Sequence, residues 1–356
     1  MVSGMEITAK RNWLLPMRGI NNLPFEPSLV LDRIQNHIPI SDCEPDYSTT
    51  WANVTDSLAP ELIARAKANN KKIMLSWSGG VDSTVILIAL LKHLSHSDQD
   101  LLTIALTRSS IFEASQIYFK YVHGQFAIVD FDHFVDNCSL DQYQKYIHVN
   151  GDPADQLCIA INSTSTAFLE DTSWGRRSFR DIGQLETLLT DTFNQDIAKW
   201  LAPKLIENIE STTAPIESCY QAVWWISFNY LFSGSACATW CHTWWLKGLL
   251  FDQWLDHQFF WFCDLRYQRW ALANCGRYDV LFGPNINHWK WMSKQYIVDY
   301  TKDQFWLRYK TKMSSNNRRT QRSNPPWVAL HGNRLLTLEQ NIDELSELLP
   351  QCLRQS

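Results

Sequence analysis

Ser78-Gly79-Gly80-Val81-Asp82-Ser83-Thr84 is the stretch of this chain whose residue types suit a phosphate. It follows the short apolar run Ile73-Met74-Leu75-Ser76-Trp77 and opens the helical run Val81 to Leu94. Two adjacent glycines let the chain turn tightly and leave no Cβ between backbone amides and an oxyanion. The helix that follows offers free amides and a favourable dipole, and Ser78, Ser83 and Thr84 add hydroxyl donors. Asp82 is the odd residue: a carboxylate beside a phosphate repels it unless a cation lies between them, which predicts magnesium. A mononucleotide loop of the commoner kind needs Gly-x-x-x-x-Gly-Lys-Ser/Thr. No lysine follows these glycines, so the loop is not built for γ-phosphate transfer.

A second acidic loop comes later. Tyr146-Ile147-His148-Val149-Asn150 reads as a strand and runs into Gly151-Asp152-Pro153-Ala154-Asp155-Gln156-Leu157. Gly-Asp-Pro alone is a common turn. Paired with the first loop it puts a second set of carboxylates at a strand's carboxyl end, where open α/β sheets bind ligands. His148 reads as a strand residue rather than an acid-base group.

The elements that must carry these loops are legible between Lys71 and about Leu157. Short apolar runs alternate with helical ones: Ile73 to Trp77, Val81 to Leu94, Leu101 to Leu106, Phe112 to Val122, Phe126 to Phe131. That alternation predicts α/β architecture, a doubly wound parallel sheet covered by helices. Upstream, Asn21, Asn22, Pro24 and Pro27 mark an irregular lead-in, and Ser57 to Ala68 reads as a helix ending at Asn69-Asn70. From Ile182 to about Ser315 the apolar residues recur at helical spacing, predicting an α-helical portion. Four of the seventeen tryptophans precede residue 200, which divides the chain into two differently built halves. Arg318, Arg319 and Arg322 make a basic stretch, and Leu336 to Leu349 reads as an amphipathic helix. The division expected is a lead-in over 1–70, a nucleotide-binding α/β region over 71–180, a helical region over 181–315, and a basic loop with a closing helix over 316–356.

Composition removes several classes. With 356 residues, 45% hydrophobic, a net charge of -5 and pI ≈ 6.1, the chain can bury a large core and carries no global cationic field for nucleic acid or an anionic membrane. Met1 to Arg11 holds no long apolar run, so no secretory signal is expected, and the odd, irregularly spaced set of nine cysteines reads as cytoplasmic thiols. Cys237, Cys241 and His242 come nearest to a zinc pattern but lack a second paired cluster. The uncharged run Ser218 to Leu246 is diluted by polar residues and broken at Gly234. It reads as buried helices rather than a membrane span.

The first loop resembles the PP-loop of the N-type ATP pyrophosphatase superfamily, the adenine nucleotide alpha hydrolase-like proteins of HUP-like fold. Their Ser-Gly-Gly-x-Asp-Ser holds the β- and γ-phosphates as a unit that leaves as pyrophosphate. The second loop is similar to the Gly-Glu-Gly-x-Asp-Glu loop of asparagine synthetases and β-lactam synthetases, whose later aspartate shares magnesium with the PP-loop aspartate. By that match Asp82 and Asp155 are the metal ligands and Asp152 replaces a glutamate. Cys263 to Trp270, Tyr296 to Tyr300 and the lysines beyond resemble the helical carboxyl half of those synthetases. A lysine there faces the acyl-adenylate, and Lys310 and then Lys312 are the candidates for it. The resemblance implies ATP bound by Ser78, Gly79, Gly80, Val81, Asp82, Ser83, Thr84 and Gly151, with adenine at the strand ends Leu75-Ser76 and Ala105-Leu106-Thr107.

The likeness covers roughly Lys71 to Ser315 and departs at the amino end, where residue 2 is Val2 rather than a glutaminase's catalytic cysteine. The expected activity is therefore AMP- and pyrophosphate-forming activation of a small-molecule carboxylate, followed by amide formation. The amine would arrive free, on a separate donor protein, or within another substrate. Two alternatives stay open: adenylation of a nucleobase carbonyl in tRNA or DNA, supported only by Arg318 to Arg322, and an ATP-binding module without turnover.

Overall fold

A computed structural model describes residues 47–152, 154–157, 177–192, 195–210, 216–226, 228, 248–275, 277–284, 290–308, 328–331 and 334–337. In chain order the elements begin with α1 (Trp51–Ala68), β1 (Lys72–Ser76), α2 (Val81–His93), β2 (Leu102–Leu106), α3 (Arg108–Glu113), β3 (Ala127–Asp130), α4 (Phe131–Asn137), α5 (Leu140–Tyr143) and β4 (Tyr146–Val149). They continue with α6 (Ala154–Leu157), α7 (Ile182–Thr192), α8 (Gln195–Glu210), α9 (Cys219–Ile226), α10 (Phe251–Asp256), β5 (Gln258–Phe259) and α11 (Leu265–Asn274). The last are α12 (Tyr278–Phe282), α13 (Trp291–Thr301), α14 (Phe305–Arg308), β6 (Val328–His331) and β7 (Arg334–Thr337).

Two compact units interleave along the chain. One comprises Ala52–Gly151, Asp252–Trp261 and Trp291–Ser356; the other comprises Met1–Trp51, Asp152–Phe251 and Phe262–Lys290.

The first unit holds a five-stranded, all-parallel sheet in the order β3-β2-β1-β4-β5. This is the α/β architecture that the strand and helix alternation predicts. Every residue of β2 is buried, as in a strand covered on both faces. Helix α2 is buried continuously from Ser83 to Leu90. An all-round apolar helix of that kind must be packed on several sides, and α13 covers part of it. Tyr296 of α13 and Lys92 of α2 both bind the Asp56 carboxylate of α1, and the Lys92 ammonium lies 4.8 Å from the Tyr296 ring centroid.

Three expectations need correction. The portion expected to be wholly helical supplies Gln258 and Phe259 to the sheet, paired with His148 and Val149. A two-residue strand leaves no periodicity to read. The helix expected from Phe112 to Val122 starts earlier, at Arg108, because Thr107 and Ser110 form a reciprocal capping box, and it breaks at Ala114 (φ -143, ψ 54) before a π-turn over Tyr118–Val122. Leu336, expected to open the closing helix, lies in β7 opposite Ala329 of β6, with Leu335 opposite Leu330. The rest of that helix, the lead-in Asn21 to Pro27 and the stretch Arg318 to Arg322 lie outside the described residues.

The second unit is helical apart from an isolated bridge, Ser178 to Ser218, among the described residues. Helices α7 and α8 pack on one another, and α6 and α9 pack on α11. Trp51 sits against Tyr267 and Trp270 at centroid distances of 4.6 and 4.7 Å. Trp224, Trp225 and Trp270 are buried, so these tryptophans build core. The Cys219 thiol is pushed up to about 11, and that of Cys263 well above its ordinary value, by burial first; neither is a ready nucleophile. Cys237, Cys241 and His242 lie outside the described residues. No described helix is long and apolar enough to cross a membrane.

His148 of β4 is buried in the sheet unit, stacked on Tyr143 at 4.0 Å, and its Nε2 donates to the Tyr143 carbonyl at 3.1 Å. Burial lowers its pKa from 6.5 to about 3. The unfolded chain therefore takes up a proton near pH 6.5 that the folded chain refuses until about pH 3. Stability from this residue is complete above that window and is lost as pH falls through it, at no more than about 1.4 kcal/mol per pH unit. Urea denaturation between pH 7 and pH 4 is expected to show a shallower pH slope for His148→Phe than for the wild type.

Candidate functional site

β1 is flanked by β2 and β4, so the loops leaving its carboxyl end and that of β4 meet at the switch point of the sheet. The Trp77 amide continues the ladder to the Ala105 carbonyl at 2.8 Å, and the chain then turns at once. Gly79 makes the turn with φ +73, and a Cβ there would lie 2.4 Å from the carbonyl oxygen of Ser110. A left-handed φ and a backbone neighbour at that distance both exclude a side chain. Gly80 follows as an extended N-cap of α2 (φ -73, ψ 169).

Hydroxyl groups fix the loop from within. The Ser78 amide donates to Ser83 Oγ at 3.1 Å, the Ser78 and Ser83 hydroxyls are 3.1 Å apart, and the Gly80 amide donates to Ser78 Oγ at 3.3 Å. The Trp77 indole donates to Thr84 Oγ1 at 3.0 Å, and the Thr84 side chain is fully buried. Ser83 and Thr84 thus hold the loop's shape from below. Above them α2, thirteen residues long, presents first-turn amides that no helical carbonyl can satisfy.

Asp82 stands in that first turn, with Oδ1 shielded from solvent. Gly151, the second residue after β4, passes directly against it: a Cβ on Gly151 would lie 2.9 Å from Asp82 Cβ and 3.0 Å from the Ser83 nitrogen. Leu75, Ser76 and Leu106 occupy the carboxyl ends of β1 and β2, with Leu75 and Leu106 buried and Ser76 half-buried. The structure therefore gathers Leu75, Ser76, Ser78 to Thr84, Leu106 and Gly151 at one edge of one sheet. Glu113 also flanks the loop: its Oε1 would be 4.0 Å from a Cβ on Gly80. Nothing in the sequence marks this residue, because α3 brings it to the loop from a different strand connection.

Asp155 belongs to the second unit. There its Oδ1 lies 2.5 Å from Nζ of Lys290, whose side chain is 6% exposed. Lys290 also has φ 61, a left-handed conformation costing a lysine on the order of 1 kcal/mol. The lysines expected from the sequence are Lys310 and Lys312, not Lys290. Its signal is the context Trp289-Lys290-Trp291, a lone charge between two large apolar side chains. Lys310 and Lys312 lie outside the described residues.

Among the described residues no three His, Cys, Asp or Glu side chains cluster as metal ligands. Magnesium does not require three: it is commonly held by one or two carboxylates together with substrate phosphates. Asp82, with a shielded oxygen above a glycine turn, is a carboxylate of the kind that fits this ion.

No protein-family model, no curated protein and no solved structure matches the chain.

Gly79→Ala is expected to destabilise the fold by about 1–3 kcal/mol through enforced strain and the clash with Ser110. Gly151→Ala should do the same by pressing on Asp82. Gly124→Ala is the control, because Gly124 shares a positive φ of +72 but has open space around its Cβ position; its loss should be the smallest of the three by thermal denaturation.

Proposed function

We propose that this protein is an ATP-dependent, adenylating ligase of the PP-loop type, similar to the synthetase domain of asparagine and β-lactam synthetases. The observation that carries the reading is the glycine turn at the switch point of an all-parallel sheet, with Asp82 in the first turn of the following helix and Gly151 packed against it. A turn without Cβ atoms, a helix amino terminus and a carboxylate that needs a cation together describe a site for a metal-bound polyphosphate.

In this reading the loop amides from Ser78 to Thr84 take the β- and γ-phosphates, and adenine lies along Leu75, Ser76 and Leu106. By the resemblance, Asp82 and Asp155 would hold magnesium, whose charge would offset that of the phosphates. A substrate carboxylate oxygen attacks the α-phosphorus and the bond to the β-phosphate bridging oxygen breaks, releasing pyrophosphate. An amine then adds to the acyl carbonyl, AMP leaves, and the amine loses a proton to give an amide. Lys310 and Lys312 are the candidate cations for charge developing in these steps. The substrates would be a small carboxylate and an amine, the second supplied free or by a donor protein, in a cytoplasmic setting.

The decisive assay follows α-labelled ATP with magnesium, for wild type and Asp82→Asn, against mixed carboxylates with ammonia and then against bulk tRNA and DNA. AMP and pyrophosphate are expected with the carboxylate pool, falling at least about a hundredfold in Asp82→Asn. Stimulation by nucleic acid alone would move the adenylation to a nucleobase carbonyl. ADP as product, or tight ATP binding without turnover in every pool, would overturn the ligase.

A further inference from the structure

Three basic side chains meet at the amino end of the sheet, opposite the glycine loop. Lys71, the residue before β1, is half-buried, and its Nζ lies 3.2 Å from Nδ1 of His257, a residue 7% exposed at the approach to β5. Arg65 of α1 is fixed beside them by the carbonyls of Gln258 and Asp256. The same Nδ1 lies 3.1 Å from the Tyr146 carbonyl oxygen. With Lys71 as donor, one ring nitrogen cannot serve both neighbours at once: bare, it accepts from the amine; protonated, it donates to the carbonyl. The two contacts fit the two ends of one proton transfer, from Nζ to Nδ1.

We propose that Lys71 is a site of covalent acylation, an amine that His257 positions and relieves of a proton, with a small acyl phosphate as its reagent. The surrounding charge selects that reagent. The carboxylate that acts on Arg65, Lys71 and His257 alike is Asp256, and one carboxylate among three basic groups favours a donor with an anionic leaving group. The Tyr143 ring closes the inner side of His257 at 5.5 Å. Burial first, and Arg65 after it, holds the Lys71 amine below the ordinary lysine range, against the opposing pull of Asp256, and burial lowers His257 as well. Desolvation and a neighbouring cation are the two means by which a lysine becomes a nucleophile near neutral pH. In the reaction the lone pair of the neutral amine forms the C–N bond at the acyl carbon, the bond from that carbon to the phosphate oxygen breaks, and phosphate leaves with the electron pair. The amine proton passes to Nδ1, which donates it to the Tyr146 carbonyl until solvent takes it. The product amide is neutral, so the modification removes one cation from the edge that fastens β5.

The test treats the full chain at pH 7 with acetyl phosphate and follows each lysine by mass spectrometry, with Lys72 and Lys145, both exposed, as internal standards. Lys71 is expected to acetylate about tenfold faster than either. His257→Gln should bring Lys71 down toward the standards while their own rates stay fixed. In the wild type the Lys71 advantage should shrink as the pH is raised to about 11, where exposed lysines lose their proton too. Lys71 reacting no faster than Lys72 and Lys145 at pH 7 would overturn the site. A Lys71 that stays fast in folded His257→Gln would overturn the part given to His257. If that variant does not fold, the wild-type profile decides: an advantage that persists undiminished at about pH 11 means that relief of the proton is not its cause, and the proposal fails.

Discussion

The sheet unit depends on two places where backbone meets backbone with no room for a Cβ. At Gly79 the turn after β1 lies against the Ser110 carbonyl, and at Gly151 the exit of β4 lies against the first turn of α2. Parallel strands must send every connection over the same edge, so three loops crowd the carboxyl end of β1. Glycine at the two contact points lets α2 begin immediately after the strand instead of swinging clear. That early start permits a helix apolar on all sides to fall between the sheet and α13, and it leaves the helix amino terminus at the switch point.

The opposite edge is finished by charge. Arg65 of α1 donates to the carbonyls of Gln258 and Asp256 at 3.1 and 2.9 Å, and Lys71 lies 3.2 Å from His257 Nδ1. Burial lowers the pKa of Arg65, Lys71 and His257 alike, and their mutual proximity opposes protonation of His257 further. β5 has only two residues with which to hold its place. Side chains of α1 and the β1 approach do for this edge strand what a longer ladder does elsewhere. One end of the sheet is thus held by cations and carbonyls, the other by glycines and hydroxyls, and the second is the end to which the proposed function assigns the phosphates.

The legible parts of the chain are those where one short segment contains its own explanation. β1, β2, β3 and β4 fall within a residue or two of the apolar runs because each is a short apolar segment bounded by turn residues. The loop from Ser78 to Thr84 was readable for the same reason: glycines, hydroxyls and a helix start are local chemistry. What escaped depends on distant residues. β5 exists because β4 and Arg65 lie where Gln258 and Phe259 arrive, and Glu113 reaches the loop only through the capped start of α3. Lys290 has meaning only beside Asp155, 135 positions earlier. Leu336 lies in a strand rather than opening a helix because residues 328 to 331 offer it a partner strand.

In the proposed function, Asp82 gives the loop its selectivity. A helix amino terminus favours one nearby anion, and the Asp82 carboxylate in the first turn already supplies one. A free phosphate entering the same turn meets both the favourable dipole and a fixed negative charge, two effects of opposite sign at similar range. A phosphate that brings a divalent ion meets the dipole through its oxygens and the carboxylate through its metal, and both terms become attractive. In the proposed function the loop thereby favours a metal-bound polyphosphate over a bare anion, a choice that neither the glycines nor the helix terminus could make without the aspartate.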